Sequence, residues 1–315
     1  MKPGYTKPLY LLPFDHRNSY VADMFGFQFP LTDEQHQQVV ASKHIIYDGL
    51  LAAIAGHEAT SHAGVLVDEQ FGNDILRDAK KRHLVTALSV EKSGGAEFEF
   101  EYGADFAAHI ELFEPTFAKV LVRFNPEGDP DLNDRQLAKL RELSEYCQKK
   151  QQLFMFELLV PASKEQLNWY HADVGAYDRK CRPALMEQAI CAIQDAGIEP
   201  DVWKIEGLDK RDDCKNVIEA AKRNGRTDVC CIVLGRGADE KKIAEWLNVA
   251  GSVPGFTGFA VGRTTFWSAI ADLTAKRIVR QVAIARIAQR FKTWVDMFES
   301  AQPGAINKTK PKIAQ

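Results

Sequence analysis

Short apolar runs alternate with longer stretches of helical period along most of the chain. The runs cover 9–14, 64–67, 84–90, 118–122, 153–159, 202–205, 229–234 and 259–261, and each closes on a polar or glycine-rich cluster. Runs of this length read as buried strands. Between them, segments such as 33–55, 132–149, 183–196 and 215–223 carry apolar residues at i, i+3 and i+4 with charge elsewhere, the spacing of amphipathic helices. Gly197 and Gly225 stand where helix C-caps belong, and Pro183 stands near a helix start. A long helical region, 266–301, ends the pattern. Strand then helix, eight times over, predicts an α/β fold: a (β/α)8 TIM barrel forming one domain over 1–301. A doubly wound open sheet would give similar local signals, and the count favours the closed barrel. Residues 302–315, with two prolines, a glycine and three lysines, are expected to form a disordered C-terminal tail.

Composition narrows the partners. A chain of 315 residues with 45% hydrophobic and 26% charged residues can bury a large core, and barrels of this size fold as one unit. The formal charge is only −3 and basic residues do not gather on one predicted face, so neither nucleic acid nor a membrane is the expected partner. A small molecule is. Cys147, Cys181, Cys191, Cys214, Cys230 and Cys231 show neither CxxC spacing nor a companion histidine pattern, which fits a reducing compartment rather than a zinc knuckle or disulfide framework. The first apolar run is too short for a signal segment or membrane span, so the expected location is cytoplasmic. Assembly into a homo-oligomer is left open.

In a barrel, chemistry collects where the strands end. The first run ends in Asp15, His16 and Arg17, the second in Asp68 and Glu69, and the third in Glu91 and Lys92. The fourth holds Lys119 and ends at Arg123, the fifth embeds Glu157, and the sixth embeds Lys204 ahead of Glu206. Burying an unpaired ion costs several kcal/mol, so a charge inside an apolar run is paired, shifted in pKa or functional. Lys119, Glu157 and Lys204, on strands four, five and six, would point into one cavity. A buried lysine near a second cation loses its proton more readily, and the neutral amine attacks a ketone to form an iminium. Lys204 is the candidate nucleophile and Glu157 the proton relay. Lys119 would either lower the pKa of Lys204 or bind substrate oxygens, and Asp15 would orient substrate or nucleophile. The seventh and eighth runs end in Gly235, Arg236 and Gly237 and in Gly262 and Arg263, just before expected helices. Close backbone approach, free N–H groups and a guanidinium suit a phosphate there.

These residues lie in an ordered series, LPFDHRNSY, GVLVDEQFG, LSVEKSG, KVLVRFNPEGD, FELLVP, DVWKIEG, VLGRG and GFAVGRTTFW, from Leu12 to Trp267. The series resembles the class I aldolases of the tagatose-bisphosphate aldolase type. The PFDHR opening brings it nearer the branch that cleaves 2-deoxy-5-keto-gluconate 6-phosphate in myo-inositol catabolism. The resemblance implies a Schiff-base lysine at Lys204, a general acid/base at Glu157, an auxiliary lysine at Lys119, a strand-one acid at Asp15 and a phosphate contact at Arg263. It implies no metal and no cofactor, and a phosphorylated sugar or sugar acid as ligand. In that branch the aldolase often follows a sugar kinase domain, for which this chain has no room. A substrate carboxylate would need a cation, with Arg17, Lys92 and Arg123 as candidates.

Two other classes fit the same residues. One is a metal-dependent barrel lyase using Asp68, Glu69, Glu91 and Glu206 as oxygen ligands, against which each carboxylate has a basic residue nearby. The other is a barrel that binds a sugar phosphate without turning it over.

Overall fold

The computed structural model describes residues 2–55 and 62–304. Among them the chain runs β1 (Leu9–Pro13), α1 (Asn18–Phe25), α2 (Asp33–Ile54), β2 (Ala63–Val67), α3 (Glu69–Lys81), β3 (Val85–Ser89), α4 (Phe106–Phe113), β4 (Phe117–Arg123), α5 (Pro130–Lys150) and β5 (Leu153–Leu159). It continues through α6 (Lys164–Trp169), α7 (Val174–Lys180), α8 (Arg182–Asp195), β6 (Val202–Glu206), α9 (Arg211–Lys222), β7 (Cys230–Leu234), α10 (Glu240–Gly251), β8 (Phe256–Ala260), α11 (Arg263–Thr274) and α12 (Arg280–Ala301). The strands pair in parallel and in sequence order, and β8 closes on β1 through Leu9 opposite Gly258. This is the (β/α)8 barrel that the alternation predicts. The expected tail begins at Gln302, which caps α12, and 305–315 lie outside the described residues. Among the described residues no helix is long and apolar enough to cross a membrane.

The seven earlier apolar runs coincide with strands to within a residue at each end. The eighth, expected at 259–261, starts earlier, at Phe256. Thr257 and Gly258 interrupt the apolar signal, yet a Cβ on Gly258 would lie 1.8 Å from the Leu9 carbonyl oxygen. Only glycine lets the last strand come close enough to complete the barrel. The terminal helical region is two helices, parted at a turn where Lys276 takes a left-handed φ of 57°. No glycine or proline marks that break in the sequence.

Two apolar layers result from the period of two along each strand. Leu9, Leu11, Leu66, Ala87, Phe117, Met155, Val202, Cys230, Ile232 and Ala260 fill the barrel interior. The alternate positions, such as Leu12, Val65, Val120, Phe156, Trp203 and Val233, pack outward under the helices. The parity places the chemistry. Phe117, Met155 and Val202 point inward, so the residues two further along, Lys119, Glu157 and Lys204, point inward as well, one layer nearer the mouth.

Candidate active site

Glu157 and Lys204 are register partners on β5 and β6, and the Lys204 Nζ stands 2.7 Å from Glu157 Oε1. The other carboxylate oxygen of Glu157 lies 2.8 Å from the Nζ of Lys119. Lys119 also contacts Asp15 Oδ2 at 2.8 Å and Glu91 Oε1 at 2.7 Å. One ammonium thus sits among three carboxylates, and one carboxylate bridges the two lysines. Burial alone would pull the Lys119 pKa down, but Asp15, Glu157 and Glu91 together drive it well above the usual lysine value. Lys119 is therefore a permanent cation, with 0% of its surface exposed.

The carboxylates respond in kind. Burial opposes ionisation of Asp15, yet Lys119, Lys204 and His16 hold its carboxyl well below the usual range. Glu157 is likewise lowered, because the two lysines outweigh its burial and the neighbouring Asp15 charge. Glu91 goes the other way: burial, with Asp15 nearby, raises it despite Lys119 and Arg17. Ser89 donates to Asp15 Oδ2 at 2.7 Å, fixing that carboxylate from β3.

This cluster forms the floor of a cavity of about 210 Å³ at the C-terminal mouth of the barrel. Asp15, Glu157 and Lys204 line its base, Leu121 and Arg123 one wall, and Glu91 to Phe98 of the loop after β3 another. That loop is a short hairpin: Lys92 donates to the Glu99 carbonyl at 2.8 Å and Glu101 to that of Val90 at 3.0 Å. His16, Arg17 and Ser19 complete the rim after β1.

The expected residues divide into those that meet here and those that do not. Asp15, Arg17, Glu91, Lys92, Arg123, Glu157 and Lys204 all line the cavity. Lys119 is not a lining residue, and three carboxylates enclose its ammonium, which counts against the expected binding of substrate oxygens. Arg17 is buried and committed, donating to Glu101 Oε2 at 2.7 Å and to the Glu91 carbonyl. Arg123 donates only to the Gly95 carbonyl, at 3.0 Å, and Lys92 is exposed. Of the three candidates for a substrate carboxylate, Lys92 and Arg123 keep donors available.

The expected phosphate loops need correcting. Gly235, Arg236, Gly237, Gly262 and Arg263 are not among the cavity's lining residues. Arg236 is turned to Asp178, at 2.8 Å, and to Glu206, at 3.0 Å, so its charge is spent on protein carboxylates. The helix that follows, α10, opens with Asp239 as cap and Glu240 in its first turn, which repels an anion. The end of β8 differs. Gly262 caps α11 without a side-chain acceptor, and that first turn holds no acid. A Cβ at Gly262 would stand 2.2 Å from the Pro13 carbonyl oxygen. Arg263 reaches the cavity rim indirectly, donating to Ser19 Oγ at 2.8 Å while lying over the Trp267 ring, with the half-exposed Asp23 carboxylate more loosely paired at 3.6 Å.

The carboxylates suggested as metal ligands are dispersed instead. Asp68 pairs with the fully buried Lys43 and caps α3 through the Phe71 N–H, Glu69 meets His109, Glu91 meets Lys119, and Glu206 lies between Arg182 and Arg236. Among the described residues no group of three or more His, Cys, Asp or Glu is placed to hold a metal ion.

His16 was legible only as a polar residue closing the first strand. It lines the cavity, and its Nδ1 is buried without a partner. Burial, with help from Arg263 and Lys204 and against the pull of Asp15 and Glu157, lowers its pKa to about 4. The ring is neutral at physiological pH.

One family model, described as "Uncharacterized protein conserved in bacteria (DUF2090)", matches residues 2–302. No curated protein matches the sequence. Among solved structures, the fold is similar to fructose-bisphosphate aldolase from Plasmodium falciparum, with 14% identity, coverage of 96% of this chain and 99% of that one, and a TM-score of 0.60. It is also similar to an archaeal fructose 1,6-bisphosphate aldolase, with 12% identity, coverage of 92% and 93%, and a TM-score of 0.57. A third is the fructose-bisphosphate aldolase of Slackia heliotrinireducens, with 11% identity, coverage of 90% and 86%, and a TM-score of 0.54. At such identities the likeness is one of fold.

Proposed function

The chain belongs to the DUF2090 family, and we propose that it is a class I aldolase that holds a ketose phosphate as an iminium on Lys204. The observation that carries this reading is the lysine–carboxylate–lysine chain at the cavity floor, in which Glu157 touches Lys204 through one oxygen and the permanent cation Lys119 through the other. Lys119 anchors Glu157 in place beside the Lys204 amine that attacks the ketone. Glu157 takes the Lys204 proton as the amine adds to the ketone, then returns it to the carbinolamine hydroxyl as water leaves. The iminium withdraws the electrons of the bond being cut.

The proposed substrate is 2-deoxy-5-keto-gluconate 6-phosphate, cleaved between C3 and C4 to dihydroxyacetone phosphate and malonate semialdehyde. The cation supply supports an acid phosphate. Lys92 and Arg123 stand on one side of the cavity, and the uncapped start of α11 with Arg263 lies beyond the other rim. A tagatose-bisphosphate-type ketose is the alternative substrate of the same chemistry.

Borohydride treatment in the presence of dihydroxyacetone phosphate tests the class. Intact mass should show one reduced adduct per chain, insensitive to chelator. Lys204→Met should show none while remaining folded, because methionine fills the volume without a buried charge. Absence of adduct in the unaltered protein would exclude the Schiff-base mechanism.

A further inference from the structure

Iminium formation and carbon–carbon cleavage each move a proton, and the cavity offers two sites to move them. Glu157 has both oxygens occupied, one by each lysine. Asp15 Oδ2 is shared between Lys119 and Ser89. Glu91 holds Lys119 through Oε1. The His16 ring lines the same cavity but, among the described residues, carries no ion pair, and its buried Nδ1, like Glu91 Oε2 and Glu157 Oε2, has no hydrogen-bond partner. A buried polar atom without a partner is costly unless something other than the protein satisfies it. The His16 ring lines the cavity, so a substrate oxygen there comes within reach of the imidazole.

We propose that His16 is a catalytic residue of the cleavage step: its imidazole takes the proton of the substrate hydroxyl whose carbon becomes the aldehyde, while Glu157 serves only the chemistry at Lys204. This rests on the aldolase reading above. As the O–H proton passes to the ring, the C–O bond becomes C=O, the C–C bond breaks, and its electron pair moves into the iminium to give a neutral enamine on Lys204. A water molecule then protonates the enamine carbon, restoring the iminium, and the hydroxide it leaves takes the proton of the imidazolium to become water again. Water hydrolyses the iminium to ketone and free Lys204 amine. One proton leaves oxygen and one joins carbon, so the ring ends as it began.

The surroundings suit a neutral base. Asp15 just after β1, Glu157 on β5, Lys204 on β6 and Arg263 on α11 all act on the ring, and the Lys43 ammonium on α2 binds the His16 backbone carbonyl at 3.1 Å. That last contact fixes the strap after β1 without using the imidazole. With a pKa of about 4, the ring is as basic as an ordinary carboxylate, and no cation sits on its lone pair.

His16→Gln retains hydrogen bonding but cannot cycle a proton, and His16→Ala opens space for free imidazole. Both are assayed for adduct trapping with dihydroxyacetone phosphate and for cleavage of 2-deoxy-5-keto-gluconate 6-phosphate or tagatose 1,6-bisphosphate, whichever the unaltered protein cleaves faster. We expect trapping to persist, kcat for cleavage to fall by roughly two to four orders of magnitude, and added imidazole to restore part of the loss in His16→Ala. Cleavage at the original rate, trapping lost in step with cleavage, or no rescue by imidazole would overturn the role. If Glu91→Gln shows the expected pattern and His16→Gln does not, the base is Glu91. An unaltered protein that traps nothing overturns the aldolase reading and this inference with it, whereas normal trapping with unchanged His16 variants removes only the inference.

Discussion

Lys119 is the residue on which the charge balance of the cavity floor turns. Three carboxylates converge on its ammonium, and without that charge Asp15, Glu91 and Glu157 would face one another in a buried space. Lys119→Met should therefore destabilise the fold by about 3–5 kcal/mol, the cost of leaving buried charge uncompensated. Chemical denaturation at pH 7.5 measures this, and a loss under about 1 kcal/mol would mean that the cluster is not fully ionised. The pH response of the neighbouring imidazole has a definite sign. His16 is neutral when folded, so as pH falls from 6.5 towards about 4 the unfolded chain takes up a proton that the folded one refuses, and stability declines. Asp15, lowered when folded, adds a further loss at more acid pH, while Glu91, raised, offsets part of it. His16→Gln should flatten the decline between pH 7.5 and 5; an unchanged slope would mean that the ring already titrates normally. The embedded charges of the strands were visible in the sequence because an ion within an apolar run is conspicuous. The unpartnered His16 nitrogen was not, because no sequence pattern reports which partners a side chain lacks.

At the scale of elements, charges embedded in the apolar runs made the site legible. In the fold, Lys119, Glu157 and Lys204 each follow an inward apolar residue by two positions, the parity that aims them into the cavity. The eighth strand and the break between α11 and α12 were less legible. A glycine demanded by closure weakens an apolar run, and a left-handed lysine leaves no compositional trace. Gly258→Ala should force β1 and β8 apart and cost at least about 1–3 kcal/mol in thermal unfolding, as overpacking does; an unaffected midpoint would show that the closure tolerates a methyl group. The two arginines after β7 and β8 have the same local signature, yet their helices differ. An acidic first turn follows Arg236, whereas an open one begins at Arg263. Arg263→Ala should raise KM for the phosphorylated substrate well above its effect on a dephosphorylated analogue, and Arg236→Ala should leave that ratio unchanged. Equal behaviour of the two variants in steady-state kinetics would count against a phosphate at the start of α11.

For the molecule as a whole, the barrel brings to one floor residues from β4, β5 and β6 and from the segments just after β1 and β3 that are far apart in the chain. The count of eight short strands predicted the closure, and the charged ends of those strands the mouth at which the charges meet. The phosphate loops were less accessible to such reasoning, because a glycine–arginine pair does not reveal whether a protein carboxylate will claim the arginine first. The central claim concerns which amine becomes covalent. Borohydride trapping with dihydroxyacetone phosphate, followed by proteolysis and mass mapping, compares Lys204, at the cavity base beside Glu157, directly with the enclosed Lys119 and the exposed Lys92. The reduced three-carbon chain should be found on Lys204 alone; an adduct on Lys119 or Lys92 would contradict the assignment.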